Sequence, residues 1–484
     1  MGRSRCLVVI LAAWSLAALP AAAQQQPPPG HYLAAIDQYR ASNLEGAVSE
    51  LKAALEATPD DPVLLGWLGF IYMKQSKPDE AIPVLESAVS KRQDMPEAYN
   101  NLGNAYLAKG RIKDAADAYE KAISLRPTGG TRYNLGNLYL RQNRVADAIK
   151  EYTAAAELIP DDPNIQNNLG YAYYLRSDWE QSAAAYSKAL ALSPQDSVLY
   201  LNLGIVLTRQ GDLDKAIEAL EKATALDASN YVAQLALGEA YVAKGATELA
   251  IPQLQAAAEL KPAEFAPHQN LSVLYARQGD YERAVEESNR ALEAKPGDLY
   301  GVNNLGWILF TQGKLDEARV QFEKAVSLNE NFAVAHSNLA VVYQKLGQGE
   351  LSAAQWREVE RINPKSVTAA VSLGNILLTT GKYADAAAEY EKALKVDAAN
   401  VHALNGLGLV AEKTGKFDEA IGYYRRVVTA DPKFAIGYNN MGVAYEKKGN
   451  LVRAKSCYKK ALDLDPTYKD AASNLARFSR PVQK

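Results

Sequence analysis

The amino-acid sequence predicts an all-α solenoid of antiparallel helix pairs, on three observations. A small residue recurs at Gly69, Gly103, Gly136, Gly170, Gly204, Gly238, Ser272, Gly306, Ala340, Gly374, Gly408, Gly442 and Ala476, every 34 residues except for the 33 between Gly103 and Gly136. Seven residues beyond that phase stand Gly110, Gly211, Gly245, Gly279, Gly313, Gly347, Gly381, Gly415 and Gly449, where a positive φ can close the last turn of a helix. Pro127, Pro160, Pro194, Pro262, Pro296, Pro364, Pro432 and Pro466 then stop or redirect the chain near the end of a second helix. At 484 residues the chain exceeds what one hydrophobic core supports, and repetition supplies the extra length.

The first residues stand apart from this pattern. Arg3 and Arg5 precede an apolar run from Cys6 to Leu19, followed by Pro20 and Ala21-Ala22-Ala23. That order predicts a signal peptide over residues 1–23, cleaved after Ala23, with an uncleaved anchor as the alternative. The protein is therefore expected to be exported, most simply to a bacterial periplasm or in association with the outer envelope. Residues 24–30, QQQPPPG, form a flexible polyproline-like spacer. Cleavage removes two arginines and takes the formal net charge from −3 to −5, which offers no general attraction to nucleic acid. Only Cys457 survives processing, so no disulfide framework holds the fold.

The repeats follow. Ala35 lies one period before Gly69, and Ala47, Leu51, Ala54 and Pro59 mark an earlier unit. Residues 28–468 thus divide into thirteen units, starting near 28, 62, 96, 129, 163, 197, 231, 265, 299, 333, 367, 401 and 435. Glycine inside a helix costs roughly 1 kcal/mol relative to alanine, so its recurrence at one phase requires a compensating close contact. Ala115, Ala148, Ala216, Ala250 and Ala454 of the second helices permit that approach, and Tyr or Leu seals the groove. Asp114, Asp214, Asp316, Glu317, Asp418 and Glu419 stand at the starts of second helices, the favourable end of the dipole. No unit buries its apolar stripe alone, so a continuous stack without internal boundary is expected. Between the third and fourth units, Pro127-Thr128-Gly129-Gly130-Thr131 replaces a longer junction. A local change of superhelical angle and a harmless short loop are both compatible with it. Residues 468–484 form a capping helix and tail, with Leu475 and Ala476 set against the last unit.

In the third unit, Tyr99, Leu102, Gly103, Tyr106, Ala115, Tyr119, Ala122 and Pro127 resemble the tetratricopeptide repeat consensus, as do Tyr438, Met441, Gly442, Tyr445, Ala454, Tyr458, Ala461 and Pro466 in the last. The resemblance implies a right-handed superhelical solenoid whose first helices line a concave face that holds proteins or extended peptides. Two residues before the small residue runs a row of Asn101, Asn134, Asn168, Asn202, Asn270, Asn304, Asn338 and Asn440, with Asn474 in the cap. An asparagine carries donors and an acceptor, and so can pair with a peptide backbone. The row is similar to the asparagine ladder in the superhelical repeat region of nucleocytoplasmic O-linked N-acetylglucosamine transferases, without their catalytic domain. It is interrupted at Trp67, Ala236, Ser372 and Gly406, and the same asparagines can equally satisfy local polar groups. Asn100 and Asn104 stand among the positions of the family's carboxylate clamp, but Val198 and Val232 leave that clamp incomplete.

Three aromatic clusters are candidate anchors on this face: Trp67, Phe70 and Met73; Tyr171 and Tyr174 beside Tyr133; and Tyr300, Trp307 and Phe310. Core packing is the competing reading of each. Cations at one phase, Lys74, Arg141, Arg209, Arg277, Lys345, Lys413 and Lys447, form a basic edge suited to an acidic peptide, and helix C-termini account for them equally well. His31, His268, His336 and His402 form no converging ligand set, so neither a metal nor another cofactor is expected. Cys457 lacks an evident activating base. Asn270-Leu271-Ser272 meets the glycosylation sequon but falls inside a helix. The expected function is a non-catalytic scaffold or adaptor. The alternatives are a structural part of an envelope, secretion, pilus or polysaccharide-export assembly and, more remotely, an enzyme.

Overall fold

A computed structural model of the chain describes residues 30–477, so the expected signal peptide, most of the spacer and the end of the tail lie outside the described residues. The described residues form helices in consecutive antiparallel pairs and contain no strand. In each pair the first is called here the A helix and the second the B helix. The described residues group into two compact bodies, divided between Pro262 and Ala263, a division of which the even period carries no signal. The first body holds seven pairs, from His31–Arg40 with Leu44–Ala57 to Tyr231–Lys244 with Thr247–Leu260. The second holds six, from Phe265–Arg277 with Tyr281–Ala294 to Ala435–Lys447 with Leu451–Leu464, and then the lone helix Lys469–Ala476.

Local chemistry sets the ends of these helices. The Asp61 carboxylate accepts hydrogen bonds from the backbone N–H groups of Val63 and Leu64 at 2.8 and 3.1 Å, and Asp196 and Asn230 cap their A helices in the same way. At the A-to-B turn the chain enters the left-handed region, as at Gly211 with φ 91°. Where glycine is missing, Ser42, Ser76, Asn143 and Ser177 take the same conformation with a side chain attached. A left-handed residue with a Cβ costs on the order of 1 kcal/mol. Ser177→Gly should therefore raise stability by about that amount, read as a higher urea midpoint. An unchanged or lowered midpoint would mean that the turn carries no such strain.

The pair interior follows from the small residue. A Cβ built on Gly136 would lie 2.7 Å from the ring of Tyr152, so the A helix can rest on that ring only without a side chain there. Tyr119, Tyr152 and Tyr186 in the first body, and Tyr390, Tyr424 and Tyr458 in the second, fill this groove and are fully buried. Leu220 and Leu254 take the same place opposite Gly204 and Gly238, and Ala115, Ala148, Ala216, Ala250 and Ala454 of these B helices are fully buried. At the C-terminus Ala471 is buried and Leu475 packs on the last core cluster, but Ala476 is exposed. Ala476 holds the small-residue phase but no described residue covers it, which corrects the expected contact.

The link from each B helix to the next A helix has four residues, as at Asp227–Asn230 between Leu226 and Tyr231. The 33-residue interval falls in one such link, where only Arg126–Thr128 joins Leu125 to Gly129. Helix lengths on either side are unchanged, so the connection alone absorbs the missing residue. Gly129 is pressed on Ile159, whose side chain a Cβ there would meet at 2.5 Å.

Candidate peptide-binding face

The asparagine row is engaged in bonds between successive repeats. In the first body Asn134 Nδ2 donates to the Oδ1 atoms of Asn100 and Asn104, both at 3.2 Å, in the preceding unit. The Tyr119 hydroxyl donates to the same Asn104 oxygen at 2.7 Å. One unit on, Asn168 Nδ2 reaches Asn137 Oδ1 at 2.9 Å, and the Tyr152 hydroxyl donates to that oxygen at 2.6 Å. Asn202 donates to Asn167 at 3.3 Å. In the second body Asn338 donates to Asn303, Asn440 to Asn405 and Asn474 to Asn439, at 3.0, 3.0 and 2.9 Å.

These contacts knit neighbouring A helices together, and they commit the donors that a peptide would need. Asn168 and Asn202 are almost wholly enclosed. Asn270 and Asn304 are half-buried, and Asn101 is buried and makes no side-chain hydrogen bond among the described residues. The acceptors at Asn137, Asn167, Asn303, Asn405 and Asn439 were missed from the sequence, and Asn100 and Asn104, noted there only as clamp positions, accept from Asn134. Their signal was the second asparagine beside the row or just past the small residue.

The aromatic clusters differ in exposure. Trp67, Phe70 and Met73 are buried, which corrects their reading as accessible anchors. Tyr32 and Tyr39 of the first A helix meet them, with the Tyr32 and Trp67 rings 6.2 Å apart and the Tyr39 and Phe70 rings 5.4 Å apart. Tyr171 and Tyr174 are half-buried, and the Tyr174 ring packs edge-on to Trp179. Phe310 is half-buried against the core around Leu309. Tyr300 and Trp307, seven residues apart on the helix Leu299–Thr311, are 63% and 49% exposed. Val334, one period after Tyr300, is 52% exposed, and Phe332 meets the Tyr300 ring at 5.5 Å. The second body thus presents two aromatics and a valine on adjacent A helices.

Arg141 and Arg209 in the first body, and Arg277, Lys345, Lys413 and Lys447 in the second, are all exposed and form no ion pair among the described residues. Other lysines are paired across repeats, Lys109 with Asp79 at 2.9 Å and Lys244 with Asp214 at 2.6 Å. Burial raises the Glu412 carboxyl above the usual carboxylate range, and a hydrogen bond from Tyr424 and the charges of Lys413 and Lys447 pull it back. His268 is buried against Glu287 at 2.5 Å, and His336 against Gln355 at 2.7 Å. No cluster of three metal-ligating side chains occurs among the described residues. Burial pushes the Cys457 thiol up to about 11, against a small opposing pull from Arg453. No described helix is long and apolar enough to cross a membrane.

The sequence matches a tetratricopeptide repeat model over residues 68–129, 133–197, 201–265, 337–395 and 371–433, and related repeat models over 267–298, 306–347 and 435–468. Comparison with curated protein sequences finds no match. Among solved structures, MamA is 24% identical, with 34% of this chain and 96% of MamA aligned and a TM-score of 0.32. YrrB, described as a TPR protein with an unusual peptide-binding site, is 23% identical over 39% of this chain and 98% of its own, with a TM-score of 0.34. PilF of Pseudomonas aeruginosa is 21% identical over 45% and 96%, with a TM-score of 0.37. With repeat models matching more than half of its length, the chain belongs to the tetratricopeptide repeat family.

Proposed function

We propose that this protein is a non-catalytic adaptor that holds an extended peptide or protein surface on the A-helix face of its second body. The observation that carries this reading is the exposed group of Tyr300, Trp307 and Val334. Large aromatic side chains left in water on a well-packed scaffold are the usual anchors of protein recognition, because they bury much area while freezing few rotors. Asn304 lies between Tyr300 and Trp307 in sequence, is half-buried and makes no side-chain hydrogen bond among the described residues, which leaves its carboxamide available to a backbone. Arg277, Lys345, Lys413 and Lys447 supply unneutralised positive charge in the same body, which favours an acidic partner and makes association salt-sensitive. The N-terminal sequence supports export, so the partner is sought in the periplasm or outer envelope.

The test is a photo-crosslinking amino acid placed at Tyr300 in cells, followed by identification of the captured proteins. In parallel, the purified double variant Tyr300→Ala/Trp307→Ala is compared with wild type for binding the captured partner. Two anchors lost together should weaken binding about 100-fold or more with helicity retained. Undiminished binding removes this face from the proposal.

A further inference from the structure

The one short junction of the repeat array opens a cavity. Where Arg126–Thr128 replaces a four-residue link, a space of about 520 Å³ lies among the A helices Pro96–Ala108, Gly129–Arg141 and Pro163–Leu175 and the end of the B helix Val145–Leu158. Gly130 lines it without a side chain, at a phase where other units of this body carry Val63, Glu97, Asn164, Val198 and Val232. Pro96, Pro127, Tyr133, Ile159 and Ile165 make the walls apolar. Its size falls within the range of about 300–1,000 Å³ typical of ligand sites.

The polar groups in this space define what fits it. Glu97 and Arg126 pair with each other, so neither offers a free charge. Asp162 is committed to capping its helix through the backbone N–H of Asn164. Asn101 is 6% exposed, lines the cavity, and makes no side-chain hydrogen bond among the described residues. Asn100 beside it uses only its oxygen, as acceptor from Asn134. A carboxamide on a pocket wall presents one donor and one acceptor edge, and a peptide group matches it with one N–H and one C=O.

We propose that this cavity is a side-chain pocket that takes one large apolar residue of an extended peptide, whose adjoining backbone amide pairs with Asn101. The inference rests on reading the chain as a peptide holder, and it adds a selective pocket in the first body, apart from the exposed aromatics of the second.

A library of linear cysteine-free peptides, panned on the full chain and counter-panned on the Gly130→Leu variant, tests this. Gly130 has a φ that any residue adopts, being absent from the left-handed positions, so leucine can fill the space without backbone strain. Enriched peptides should share one large apolar residue at a fixed register and bind Gly130→Leu about ten-fold more weakly or worse. Asn101→Leu, checked for retained helicity, should weaken them by a similar factor and serves if the first variant misfolds. The Tyr300→Ala/Trp307→Ala variant should bind them like wild type. Peptides indifferent to both cavity variants, a charged consensus, or no enrichment would each overturn the pocket. Loss of partner capture by the Tyr300→Ala/Trp307→Ala variant alone would leave the adaptor reading standing without it.

Discussion

Replacing Tyr152 with alanine should cost about 3–5 kcal/mol, the range for removing a buried aromatic ring, and should do so locally. The ring is fully buried, faces Gly136 across the pair, and sends its hydroxyl to Asn137 Oδ1, which also accepts Asn168 of the next unit. Alanine therefore leaves a cavity within one pair and removes one donor from a bond system linking two units. Tyr152→Phe keeps the ring and should cost only about 1 kcal/mol, the net value of one hydrogen bond. Because a repeat array is stabilised by nearest-neighbour contacts, the alanine variant should broaden the guanidinium transition. Hydrogen exchange should place the earliest opening in the helices Gly129–Arg141, Val145–Leu158 and Pro163–Leu175. If both variants lose the same small amount, the close packing of glycine on the ring is not what holds the pair.

Alkali should unfold the protein as a cooperative event above pH 10. Burial raises the phenol pKa of Tyr119, Tyr152, Tyr186, Tyr390, Tyr424 and Tyr458 above the ordinary 10.0. Tyr106 is pushed up to about 12 by burial and by the Glu86 carboxylate that accepts its hydroxyl, and Tyr139 likewise beside Glu120. These groups hold their protons more tightly folded than unfolded. Their stabilisation is complete below the unfolded value near 10 and is lost as pH rises through the folded values. Tyrosinate absorbance and far-ultraviolet circular dichroism, followed together, should change at one midpoint between pH 10 and about 12. Phenolate appearing gradually while helicity stays intact would show that the rings are reached by solvent without unfolding.

Much of the fold was legible because it follows from local rules repeated many times. A glycine inside a helix, a left-handed turn and a proline at a fixed distance each have one economical explanation, and the period aligns them. Exposure was less legible, because it depends on what the neighbouring unit supplies. Trp67, Phe70 and Trp307 all occur at helical spacing, yet the first two are covered by Tyr32 and Tyr39 while Trp307 stays open. The asparagine row was visible, but its partners lie 30 to 35 residues earlier, as from Asn134 to Asn104 and from Asn338 to Asn303, so its engagement between repeats was not. The cavity at Gly130 rests on a missing side chain meeting a shortened link, a coincidence of shape that no single residue announces.

The side-chain bonds from one unit to the next make the chain's length a counted quantity. Asn134, Asn168 and Asn202 find their acceptors only if the intervening residues return the chain to the same rotational phase. Duplication or loss of an entire period in the gene would keep every such pair in register. A single-codon insertion or deletion inside a helix would break all of them downstream within that pair, and only the links tolerate it. The one shortened interval here lies in a link, as expected of an array that can change its number of modules by whole periods but its frame only at the joints.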